Sequence, residues 1–199
     1  MALLIKHALA ATALFGTMSG HAADLSAVPS GGYVVDPTHA FINFSYNHLG
    51  LSNPTLGFDD FSIDMNLDAE DPTKSMLSVN IDPDSVIAGS DKWHEHLTGP
   101  DFFDIANNPE ITFQSTSIEA AADGRYKVNG DLTIKGQSKP VSLDVTINAA
   151  MMHPMSGKPV IGLSASTTVL RSDFGLDKFV PNISDEVQLN IQTELAKAE

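Results

Sequence analysis

Beyond residue 40 the chain alternates apolar and polar side chains, segment after segment. Ile42, Phe44, Tyr46 and His48 are separated by Asn43, Ser45 and Asn47, and Phe61, Ile63, Met65 and Leu67 by Ser62, Asp64 and Asn66. Successive side chains of a strand point to opposite faces, so this period of two gives each segment one apolar and one solvated face. Leu77, Val79 and Ile81 repeat the pattern, as do residues 111–118, 126–134, 141–147, 161–169 and 187–191. The count is about eight strands. Gly31-Gly32, Asn53-Pro54, Asp71-Pro72, Asp123-Gly124, Lys135-Gly136 and Ser156-Gly157 supply turn chemistry between them. Short connections of this kind join antiparallel neighbours.

One segment breaks the pattern. Residues 90–99, SDKWHEHLTG, read as a short helix capped by Ser90, with Asp91 and Glu95 toward its N-terminal half and Trp93 and Leu97 partly buried. No linker or repeat interrupts the chain, so residues 23–199 form one all-β domain. A two-layer sandwich and a closed barrel both fit strands of this number and spacing. Only the barrel has room for an apolar ligand inside.

The first 22 residues are expected to be a secretory signal. Lys6 and His7 give a positive start, residues 8–15 are apolar except for Thr12, and Gly20-His21-Ala22 is a small-x-small site with cleavage after Ala22. The apolar stretch falls short of the ~20 residues that span a bilayer. Without a lipidation cysteine, the expected location is the periplasm.

With 25 acidic residues against 11 Lys and Arg, the net charge is -14, which repels phosphate backbones and anionic headgroups. Nucleic-acid binding, electrostatic docking on membranes and stable membrane insertion are therefore not expected. The absence of cysteine removes disulfides, thiolate nucleophiles and thiolate metal sites. There is no G-x-S-x-G, S-x-x-K or Gly-rich phosphate loop. His94 and His96 diverge on a helix, and His39 and His48, read as one strand, fall on opposite faces, so no metal site is expected. The carboxylates at 59–60, 82–84, 101–104 and 173–177 read as turn caps. Arg171, one of two arginines, reads as an ion-pair partner of Asp173 or Asp185 that pins the last hairpin, or as a polar anchor for a ligand headgroup.

In this setting the motifs resemble the YceI family. Y-x-x-D-x-x-H at 33–39, F-x-x-x-H-x-G at 44–50 and G-F-x-x-F at 57–61 stand in order. H-L-x-x-x-D-F-F-D at 96–104, P-x-I-T-F-x-S-T at 109–116, G-D-L-T-I-K-G-x-x-K-P-V at 130–141, R-S-D-F-G at 171–175 and D-E-V-x-L at 185–189 follow. The resemblance implies an eight-stranded antiparallel lipocalin-like β-barrel with one short helix, exported, often a homodimer. It would enclose a polyisoprenoid, an isoprenoid quinone or a related amphiphilic lipid, without cofactor or catalytic residues. With the more apolar strand faces turned inward, the expected ligand-binding residues are Ile42, Phe44, Tyr46, His48, Phe61, Ile63, Phe113, Leu132, Ile134 and Phe174, with Arg171 as polar anchor. Two rival readings remain open: a filled barrel that serves as a non-catalytic interaction or stress-response module, and an enzyme using His48, His96 or Arg171 on a lipid headgroup.

Overall fold

A computed structural model describes residues 23–199; the expected signal segment lies outside the described residues. The strands are β1 (Gly31–Val35), β2 (Phe41–His48), β3 (Thr55–Phe58), β4 (Phe61–Leu67), β5 (Met76–Ile81), β6 (Val86–Ile87), β7 (Ile111–Ala120), β8 (Arg125–Ile134), β9 (Gln137–Met152), β10 (Pro159–Leu170) and β11 (Ile183–Lys197). The one α-helix among the described residues, α1 (Asp91–Thr98), lies between β6 and β7. All pairings are antiparallel. The order β1-β4-β5-β7-β8-β9-β10-β11 closes on itself through Tyr33 opposite Lys197. The result is a closed eight-stranded barrel, because β1–β2, β3–β4 and β5–β6 are each one strand interrupted once.

The three interruptions fall side by side. Five residues from Asp36 to Ala40 span only Thr193 and Glu194 of β11. Asp59-Asp60 and Asp82 to Ser85 make the corresponding breaks, joined by Asp82 N–H to the Asp60 carbonyl at 3.0 Å. The extra residues change which alternate side chains face inward. Tyr33 and Met65 are buried at odd positions before the crease, and Ile42, Leu56, Phe58 and Val86 at even positions on its other side. Each break starts with an aspartate because that side chain accepts nearby backbone N–H groups in a turn, as Asp36 does from Thr38 and Asp82 from Asp84.

The core is unequal along the barrel axis. At the end holding the β4–β5 connection, Leu25 and Val28 plug the interior, and Tyr33, Ile161 and Leu195 are 1% exposed or less. The Tyr33 hydroxyl donates to the Pro29 carbonyl at 2.7 Å, which satisfies its one buried polar group. At the other end, β6 and β7 do not pair, and α1 with the turn after it stands in the gap.

Several local expectations are corrected. Gly31-Gly32 starts β1 instead of making a turn, since its backbone pairs with Leu67 and Asn66. His39 lies in the β1–β2 break, outside any strand, so the face argument based on His48 does not apply. Ser90 does cap the helix, accepting from the Trp93 amide at 3.3 Å, but Leu97 is fully buried beneath it. Lys135-Gly136 forms the turn expected, and because β9 starts at Gln137 it is a two-residue hairpin with both φ values positive, as its twist requires.

Candidate functional site

An apolar cavity of about 160 Å³ lies mostly in the half of the barrel beyond the crease and reaches Val79 and Ile81 of β5 on the near side. Strand alternation supplies its walls: Ile42, Phe44 and Tyr46 from β2, Phe113 from β7, Leu132 and Ile134 from β8, and Val187, Leu189 and Ile191 from β11. The exposed wall is carbon throughout. Aromatic rings form its sides, with Phe44 stacked on Phe58 at 5.4 Å and Phe103 edge-on to Phe44 at 6.5 Å. Offset and edge-to-face geometries of this kind add to the area that such rings bury.

Of the residues expected from the sequence, Ile42, Phe44, Tyr46, Phe113, Leu132, Ile134, Phe174 and Arg171 meet around this cavity. The other three do not line it. Ile63 is buried at 3% exposure on β4, among the residues of the packed core, and Phe61 pairs with Ile81 just past the crease. His48 ends β2 opposite Ile183, half-buried. Sequence reasoning missed Trp93, Leu97, Phe102 and Phe103, which close the gap between β6 and β7. A signal existed: Trp93 and Leu97 are four apart on a helix, and therefore on one face. Trp93, His96 and Phe102 form a second ring cluster, with centroids 4.9 to 6.3 Å apart.

Arg171 pins the last hairpin, although not through a carboxylate. Its Nε donates to the Ser184 carbonyl at 2.9 Å, its guanidinium nitrogens to Lys178 at 2.9 Å and Ile183 at 3.1 Å, and one of them also to Leu176. Asp185 accepts instead from the Ser172 amide and hydroxyl. Burial pushes the guanidinium pKa down, opposed by the nearby charges of Asp185 and Asp177. Burial also raises the Tyr46 hydroxyl, with Arg171 pulling the other way. Neither side chain presents a polar atom on the cavity wall.

The turn roofing the cavity is held by two lysines from opposite sides. Lys178 pairs with Asp101, and Lys135 donates to the Pro100 carbonyl at 2.8 Å. His94 bonds the Asp84 carbonyl at 2.7 Å, while His96 stacks on Trp93, so the two imidazoles diverge as expected. Outside the barrel, the break in β1–β2 brings Asp36, His39 and Glu194 together, with potential ligand atoms within 4.8 Å. Sequence spacing could not bring this group into view. Asp36 already serves Thr38 and His39 there.

Residues 33–195 match the family model for the YceI-like domain. A UPF0312 protein of Shewanella oneidensis is 33% identical over 189 residues, covering 94% of both chains. The Campylobacter jejuni YCEI protein superimposes with a TM-score of 0.70 at 32% identity, over 77% of this chain and 90% of that one. A domain from Saccharophagus degradans, described as polyisoprenoid-binding and implicated in plant cell wall breakdown, shares the fold. Its TM-score is 0.64 at 15% identity, over 85% of this chain and all of that one. With the barrel fold and the ordered motifs in agreement with these matches, the chain belongs to the family of YceI-like domains.

Proposed function

We propose that this protein sequesters or carries an isoprenoid lipid, a polyisoprenoid or isoprenoid quinone, through the periplasm. The observation that carries the reading is the carbon-walled cavity inside the barrel. Such a wall rewards apolar surface at roughly 25 cal/mol per Å² and gives a polar solute no partner. The polyisoprenoid-binding description of a fold relative supports the ligand class, and the sequence of residues 1–22 supports export. A carrier is favoured over a catalyst because the wall offers a bound molecule neither nucleophile nor base.

Size adds a requirement. A cavity of about 160 Å³ matches the ~150 Å³ that accommodates one benzene. A longer isoprenoid enters only if the interior widens, and α1 with Phe102 and Phe103 is the wall segment least tied to the sheet. The side-chain ties of this segment are the exposed Lys178–Asp101 ion pair, the Lys135 bond to the Pro100 carbonyl and the His94 bond to the Asp84 carbonyl, all on the surface and cheap to break.

Native mass spectrometry of the protein purified from its own cells, with organic extraction of whatever is released, tests the proposal. A stoichiometric adduct of isoprenoid or quinone mass supports carriage. A protein that arrives empty and takes up neither added polyprenol nor added quinone refutes it and leaves the interaction module.

A further inference from the structure

At the cavity end of the barrel, the β2–β3 hairpin and the turn segment leading into β11 form one corner. His48 pairs with Ile183, the Asn47 amide donates to the Ser184 hydroxyl at 2.9 Å, and the Ile183 amide donates to the Phe179 carbonyl at 3.0 Å. Three large apolar side chains project from it: Leu51 is 80% exposed, Leu49 54% and Phe179 49%. Tyr46 and Ile183, on the two strands that lead into this corner, line the cavity.

Two of these residues are costly in a second way. Leu49 has φ 58° and Phe179 φ 69°, in the left-handed region that bulky side chains avoid. Folding alone favours glycine or asparagine at such positions and polar residues at such exposure. Bulky apolar residues kept against both preferences point to a role outside folding.

Charge identifies what they meet. Residues 37–58 contain no Asp, Glu, Lys or Arg, in a chain that is 18% charged with a net charge of -14. Across the corner the charged groups are the exposed Asp177, two residues before Phe179, and Lys178, which is paired with Asp101 and lies 5.4 Å from the centre of the Phe179 ring. An acidic protein is repelled by a phosphate-bearing surface wherever its carboxylates face it, and the β2–β3 hairpin that carries Leu49 and Leu51 has none. We infer that Leu49, Leu51 and Phe179 form a shallow membrane-contact surface, through which the cavity end of the barrel touches a lipid bilayer. The contact is peripheral: among the described residues no helix is long and apolar enough to cross a membrane. It rests on the carrier reading, since a lipid that passes between bilayer and cavity at this corner avoids exposure to water. The exposed Met151, Met152 and Met155 lie on the β9–β10 hairpin at the opposite end and have no such relation to the cavity.

The test is flotation of the purified protein with phosphatidylcholine vesicles, free of any added ligand. The parent is expected in the vesicle fraction, and Leu51→Asp and Phe179→Asp are each expected to lower its partition about tenfold, since each removes a large part of one buried apolar side chain. Leu49→Asn supplies the sign that separates docking from folding. Asparagine tolerates left-handed backbone, so its thermal midpoint should hold or rise while vesicle binding falls. A parent that stays out of the vesicle fraction, or variants that float as the parent does, overturns the inference. So does a parent dimer that Leu51→Asp converts to monomer with flotation unchanged, which assigns the corner to a second copy of the chain. Mass spectrometry of the same preparations keeps the two readings apart. Lipid-loaded protein that does not float sinks only the docking surface, and protein that floats but never takes up lipid sinks only the carrier.

Discussion

Gly130 on β8 lies directly beneath the ring of Phe113 on β7. A Cβ placed on Gly130 would sit 2.4 Å from the Phe113 ring and 2.5 Å from the Gln114 carbonyl oxygen. Only glycine lets that ring lie flat along the sheet and form cavity wall. Gly130→Ala is therefore expected to destabilise the protein by about 1–3 kcal/mol, because the clash includes backbone and the ring cannot relieve it by rotating. Thermal unfolding measures the loss. A variant as stable as the parent would show that the two strands can part without cost.

The reach and the limits of the sequence reading follow from the same geometry. Alternation at Ile42, Phe44 and Tyr46 depends only on local backbone, so strands and inward faces were legible, and so was Ser90 as a helix cap. Which strands close the barrel was not, because Tyr33 meeting Lys197 depends on the accumulated twist of eight strands and on no local pattern. The family resemblance supplied that step. Ile63 was expected in the cavity because the alternation around it looks the same on both sides of Asp59-Asp60. The structure puts a crease there, with Ile63 buried on the packed side and its cross-strand partner Val79 at the edge of the cavity. Arg171 looked like an ion-pair residue because carboxylates are its near neighbours in sequence. The carbonyls it binds converge only once the 176–184 segment has folded.

Arg171→Met tests that clamp. Four donated hydrogen bonds disappear and carbonyls of Leu176, Lys178, Ile183 and Ser184 lose their partner. Removing a charged donor that satisfies partly buried carbonyls is worth about 3–5 kcal/mol. Lysine does not rescue it, since one ammonium cannot reproduce the planar fork. Amide exchange should quicken first in residues 176–184. Exchange unchanged there would mean that the loop is held by packing alone.

The contact between Asp36 and His39 gives a pH dependence with two limbs. The Thr38 hydroxyl and amide, and then His39, hold the Asp36 carboxyl down to about 2, while Asp36 raises the His39 pKa. The depressed carboxyl contributes stability above its unfolded value of ~3.9, lost as pH falls toward 2. The raised imidazole contributes stability below ~6.5, lost as pH rises through its folded value. The contact is thus at full strength from about pH 4 to 6.5, and its effect on stability is small because both groups are exposed. Imidazole NMR is the cleaner measure: Asp36→Asn should lower the His39 midpoint. A His39 midpoint unmoved by that change would mean that the 3.1 Å contact does not persist in solution.

Phe103 is the wedge that sets how much of the barrel stays empty. Its ring is buried against Phe58 at 5.8 Å and edge-on to Phe44 at 6.5 Å, on the turn that roofs the cavity. Phe103→Ala should cost about 3–5 kcal/mol and enlarge the cavity where a ligand chain would lie. Benzene reads the space directly. It should raise the thermal midpoint of the parent, whose cavity is already of benzene size, and raise that of Phe103→Ala further, because a ligand that binds only the folded state stabilises it in proportion to occupancy. If benzene leaves parent and Phe103→Ala alike unmoved, the space between Phe44, Phe103 and Phe113 does not open to apolar molecules in solution, and lipid carriage would need a different entrance.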